Sequence, residues 1–118
     1  MSKKQDKTPK NSHQHYHAHL YFDQKTQDHA KELRHLSEEI FGLKVGRFHQ
    51  KLVGPHPCWS CQIEFNAEDF DQYIAWLESQ RQQLSVLIHP VTGDDLIDHT
   101  DYAYWLGQEI PLNLALFR

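Results

Sequence analysis

Phe70, Tyr73, Ile74 and Leu77 fall at i, i+3, i+4 and i+7, the spacing of one face of an α-helix. This run is the strongest helical signal in the chain. Asn66, with Asp69 three residues on, is an N-terminal cap signature for that helix. Just before it, residues 58–65 alternate apolar Trp59, Cys61, Ile63 and Phe65 with polar Ser60, Gln62 and Glu64, the pattern of a strand with one face toward a core.

The same order recurs upstream. Residues 17–22 are short, rich in β-formers and followed by Asp23 and Gln24, which predicts a first strand. Thr26 can cap a helix that carries Ala30, Leu33, Leu36, Ile40 and Phe41 near helical spacing and stops at Gly42. Residues 44–50 read as a second strand, and the two prolines around His56 hold residues 53–57 out of any ladder. Residues 85–88 form a short β-branched run ending at His89-Pro90, the fourth strand. The order β-α-β-β-α-β predicts an α+β, ferredoxin-like sandwich: an antiparallel sheet of order 4-1-3-2 with both helices on one face. Residues 92–98 read as an acidic turn region, and residues 102–118 as an extension without a clear period.

One domain over residues 15–118 is the expectation, because 118 residues with 39% apolar content can bury a core without staples. Residues 1–14 are expected as a disordered polar tail; the stretch has a proline and no apolar h-region, which fits neither a signal peptide nor a spanning helix. A cytoplasmic protein is the expectation. Four of the twelve basic residues, Lys3, Lys4, Lys7 and Lys10, lie in that tail, so the body keeps eight basic against fifteen acidic residues, a balance of -7. An acidic body argues against nucleic acid or an anionic membrane as partner. Cys58 and Cys61 resemble a redox pair, yet residues three apart in a strand point to opposite faces, which suits structural thiols better than a disulfide.

Ten histidines in 118 residues are an excess, and alternation decides the face they occupy. In the first strand Ala18, Leu20 and Phe22 form the apolar side and leave His17, His19 and Tyr21 on the other. Gly46 and Phe48 go inward and leave Arg47 and His49; Val86 and Ile88 go inward and leave His89. With the first and third strands taken as parallel, His17, His19, His49, His56 and His89 converge on one edge, from four separate regions. Glu64, six residues beyond Cys58, is then expected on the order of 20 Å from that edge at about 3.3 Å per residue. Neutral imidazoles in such a group suit iron, zinc, copper or nickel.

The run His17-Ala18-His19-Leu20-Tyr21-Phe22-Asp23, then Arg47-Phe48-His49, Gly54-Pro55-His56-Pro57, Trp76-Leu77, Leu87-Ile88-His89-Pro90 with Thr92-Gly93, and Asp98-His99 with Trp105-Leu106-Gly107 resemble the DOPA 4,5-dioxygenase family over residues 15–114. The resemblance implies a ferredoxin-like domain, usually a homodimer, that cleaves an ortho-diphenol beside one hydroxyl with Fe(II) and O2, L-DOPA being the best-known substrate. A sheet with helices on one face only also leaves a second face for a partner copy to cover.

Extradiol chemistry needs a ferrous ion with few protein ligands and open positions for the diol and O2, together with a base and an acid. The geometry of the predicted edge assigns His19, His56 and His89 as ligands; His17 or His99 is taken as the acid-base group, and Arg47 with His49 as the holders of the substrate's anionic end. A site of two histidines with Asp98 or Asp101 stays open. So do a non-catalytic module binding a metal or an aromatic acid in the same pocket, and a redox protein using Cys58 and Cys61.

Overall fold

The computed structural model describes residues 7–118. Its core is a five-stranded antiparallel sheet in the order β2-β3-β1-β4-β5. The strands are β1 (His15–Phe22), β2 (Lys44–His49), β3 (Trp59–Asn66), β4 (Ser85–Pro90) and β5 (Tyr104–Leu106). The helices are α1 (Gln27–Phe41), α2 (Ala67–Gln80) and the single turn α3 (Asp95–Asp98). The expected four-stranded order 4-1-3-2 is corrected by β5, which pairs with β4 and extends the sheet on that side. Three residues are too few to show a period, so this strand leaves no pattern in the sequence.

A second correction concerns direction. β1 and β3 are antiparallel, with His15 opposite Asn66 and Phe22 opposite Trp59. The start of β1 therefore meets the ends of β3 and β4, whereas the end of β2 and the start of β3 lie at the opposite edge.

Alternation along the strands puts Ala18, Leu20, Ile63, Phe65, Val86 and Ile88 under the helices, packed with Leu33 of α1 and Phe70, Tyr73 and Leu77 of α2. The α2 cap forms: Asp69 accepts the Asn66 N–H at 3.2 Å. Gly42 closes α1 at φ 67, the left-handed conformation glycine adopts without strain. The buried stripe of α1 is Ala30, Leu33 and Ser37, while Ile40 is exposed. Ser37 tolerates burial because its hydroxyl donates to the Leu33 carbonyl at 2.7 Å and meets the Tyr73 hydroxyl at 2.7 Å.

Part of the other face of the sheet is covered by the chain itself. Tyr21, Leu87, Ala103 and Trp105 form a second buried cluster, against which Cys58, Ile110 and Leu112 pack. The Asn113 N–H donates to the Pro55 carbonyl at 2.9 Å and ties the C-terminal segment to the loop between β2 and β3. Tyr21 and Leu87, two of the residues whose exposure would have favoured a partner copy, are 3% and 0% exposed in the single chain.

Of the tail expected over residues 1–14, the first six lie outside the described residues. From Lys7 on, the segment runs along the body: the Lys7 carbonyl accepts from Trp105 N–H at 3.0 Å, and Asn11 donates to the Ala67 carbonyl at 3.1 Å. Among the described residues no helix is long and apolar enough to cross a membrane. Cys58 and Cys61 are both free thiols. Cys61 faces the helices and Cys58 the opposite cluster, and burial pushes the Cys61 thiol up to about 12.

Candidate metal centre

β1 runs down the middle of the sheet, so its face away from the helices carries three successive cross-strand rows. The outermost is Glu64–His17–His89, the next Gln62–His19–Leu87, the third Ser60–Tyr21–Ser85. Direct neighbours in such rows have Cβ atoms about 5 Å apart, which brings His17, His19 and His89 together as a group. One nitrogen from each can be chosen so that all three lie within 4.8 Å of one another. His19 Nε2 is 2.9 Å from His89 Nε2, close to the spacing of two neighbouring ligands that each stand about 2.1 Å from a shared ion.

Hydrogen bonds fix which nitrogen is free. His89 Nδ1 lies 2.8 Å from the Pro90 carbonyl. A carbonyl only accepts, so Nδ1 carries the proton and Nε2 keeps its lone pair. His99, just after α3, repeats the arrangement with its Nδ1 donating to the Asp95 carbonyl at 2.7 Å. Burial then keeps the rings neutral. It holds His19 well below the ordinary histidine value, with the neighbouring imidazoles adding to the effect. It lowers His89 to about 3, His99 contributing, and His56 to about 4. Three neutral imidazoles in a buried group fit iron, zinc, copper or nickel.

A cavity of about 230 Å³ opens on this group and is lined by His17, His19, His56, His89, His99 and Phe117 among others. His56 arrives from the β2–β3 loop, which folds back over the sheet, rather than from a strand edge. Its ring centroid is 4.2 Å from that of His19, and its Nδ1 is 2.7 Å from the Tyr21 hydroxyl. The His99 ring lies 4.1 Å from His89 on one side and 4.8 Å from Phe117 on the other.

The structure thus brings together five of the seven residues singled out in the sequence: His17, His19, His56, His89 and His99. It groups His17 with His19 and His89, and leaves His56 outside that group. Arg47 is exposed and away from the cavity, and His49, opposite Ser60 at the far end of β2, does not line it. The register shift between Val45 and Phe48 interrupts the alternation on which their placement rested. Asp98 lines the cavity, but its two oxygens accept from Thr92, N–H at 2.9 Å and hydroxyl at 2.7 Å, so it clasps the turn after β4.

Glu64 is the residue that sequence reasoning set aside. It stands opposite His17, with Oε1 3.5 Å from His17 Nε2. The expected separation of about 20 Å came from running β3 parallel to β1; the antiparallel ladder puts the end of one strand at the start of the other.

The profile of the Dopa 4,5-dioxygenase family matches residues 16–116, a span that holds every residue of the cavity except Phe117. The chain belongs to that family. A 21.2 kDa protein of Botryotinia fuckeliana without an assigned function is 38% identical to this family member over 112 residues, 85% of this chain and 61% of the relative. A protein of Amanita muscaria named DOPA 4,5-dioxygenase is 31% identical over 109 residues, 85% of this chain and 48% of the relative. The family member spans about half to three fifths of the length of these curated relatives. A crystal structure from Nostoc punctiforme, assigned provisionally as a dioxygenase, superposes with a TM-score of 0.86 at 38% identity, covering 89% of this chain and 91% of its own.

Proposed function

We propose that this chain is an extradiol ring-cleaving dioxygenase that opens a catechol such as L-DOPA with Fe(II) and O2. The observation that carries the reading is the convergence of His17, His19 and His89, with ligand atoms within 4.8 Å, on a ring-sized cavity bordered by two further histidines. The name of the Amanita muscaria relative supports the substrate class.

His17, His19 and His89 would hold the iron. When bound, the ion supplies the Lewis-acid and redox chemistry by which a catechol and O2 react. His56, assigned to the metal from sequence, takes a proton-handling role instead, because it stands outside the group of three rings and comes from the loop between β2 and β3. His99 is the base for a catechol hydroxyl: its Nδ1–H is committed to the Asp95 carbonyl, which leaves a lone pair on Nε2. Phe117, packed on His99, supplies an apolar wall of the cavity against which a substrate ring can lie.

Anaerobic loading with Fe(II), followed by air and a panel of catechols, tests the reading by oxygen uptake and the yellow ring-opened semialdehyde. Stoichiometric iron with no oxygen uptake on any catechol would overturn it in favour of a metal-binding module built from the same histidines.

A further inference from the structure

The row that crosses β3, β1 and β4 at the start of β1 contains one carboxylate, Glu64, beside His17. Its two oxygens face different partners: Oε1 is 3.5 Å from His17 Nε2, and Oε2 is 3.4 Å from Lys44 Nζ at the start of β2. The three side chains thus form a line, Lys44–Glu64–His17, that leads from the exposed β2 edge inward to the histidine group. Lys44 is opposite Glu64 in the ladder just as Glu64 is opposite His17. The antiparallel register therefore builds the whole line, and it needs no loop to hold it.

The chemistry of this line is asymmetric. A carboxylate accepts and never donates, so beside Glu64 the neutral His17 ring keeps its proton on Nε2 and its lone pair on Nδ1. Of the three grouped rings, His89 is oriented by a backbone carbonyl and His17 by this side chain. Partners of this kind fix the tautomer and ring orientation of histidines that bind metals and raise their basicity. An ammonium on the far oxygen helps to hold the carboxylate in place, although Lys44 is well exposed and contributes less than the Glu64–His17 contact.

We propose that Glu64 is a positioning residue of the metal centre, orienting His17 as a ligand, and that Lys44 anchors it from the β2 edge. The proposal rests on the reading of His17, His19 and His89 as a metal centre and adds a residue that sequence reasoning excludes.

Titration of the metal-free protein with Co2+ or Zn2+ against a chromophoric chelator measures the affinity without any turnover. Glu64→Gln, which keeps size and removes charge, is expected to weaken binding roughly 10- to 100-fold, the usual cost of losing such a partner, and Lys44→Met by a smaller factor in the same direction. Nitrogen-15 shifts of the metal-free wild type give a second reading that needs no variant to fold: His17 is expected with its proton on Nε2. Wild-type affinity in Glu64→Gln, or a His17 proton on Nδ1, would overturn the proposal. Failure of the wild type itself to bind either metal would instead sink the metal-centre reading.

Discussion

The buried histidines make the metal-free fold sensitive to acid in a pH range where ordinary carboxylates are still charged. His89 is lowered to about 3 from an ordinary value of 6.5, mainly by burial. Between those two values the unfolded chain holds a proton on this ring that the folded chain does not. The unfolded state therefore binds more protons, and stability falls as the pH falls. The contribution is whole above pH 6.5 and drains toward pH 3. At 1.36 kcal/mol per pH unit, acidification to pH 4 costs roughly 3 kcal/mol at this one residue. His19 and His56 are shifted in the same direction and add to it. Against a typical domain stability of about 5–15 kcal/mol, that loss is a large share. Urea unfolding of chelator-treated protein at half-unit steps from pH 7.5 to 4.5 measures it. His89→Asn, whose amide nitrogen can replace the Nδ1 donor to Pro90, is expected to lose about one kcal/mol less per pH unit below 6.5 than wild type. A wild-type midpoint that stays flat down to pH 4.5, or an equal slope in wild type and His89→Asn, would refute the reasoning.

Other expected outcomes concern the division of labour in the cavity. His99→Gln should retain metal while losing roughly 10²- to 10⁴-fold in turnover, the usual worth of a general base; loss of metal in step with activity would make it a ligand. Changing His17, His19 or His89 to Ala should lower metal content, by elemental analysis, while His56→Ala keeps it; the reverse pattern at His56 and His17 would restore the assignment made from sequence. Thr92→Val removes one of the two donors to buried Asp98 and should cost about 1–3 kcal/mol in urea unfolding, with no loss of metal. Cys58→Ser combined with Cys61→Ala should leave oxygen uptake intact, since the two thiols sit on opposite sides of the sheet; its abolition in a folded variant would revive the redox reading.

What could be read from the sequence was local, and what escaped it was relational. Helix α2 and its cap follow from spacing within twelve residues, because side-chain period and backbone geometry are the same fact. The shared face of His17, His19 and Tyr21 follows from alternation in the same way. Strand direction does not: nothing within β3 says whether β1 runs with it or against it. Choosing the parallel arrangement moved Glu64 to the far end of the sheet and brought His49 to the near end. The histidine group survived that error because its members do not depend on it. His17 and His19 are two residues apart on one strand, and His89 is brought opposite His17 by the β1–β4 pairing. His56 reached the site for a reason the strand argument did not contain, a loop of nine residues from Gln50 to Cys58 folding back over the sheet under the tie from Asn113 to Pro55. The same tie explains why the Tyr21–Trp105 part of the second face is covered. Ile110 and Leu112 bury themselves on Tyr21 and Trp105 without a helical or strand period, so their apolar character was visible while their destination was not. The cavity is consequently walled by three kinds of element with different claims on precision: strands hold the three grouped rings, while a loop holds His56 and a single helical turn holds His99. A metal ion tolerates little displacement of its ligands, whereas a proton can cross one intervening water. That the rigid strands carry the grouped rings and the looser segments carry the other two histidines is the physical reason for dividing ligand from acid-base roles in this way.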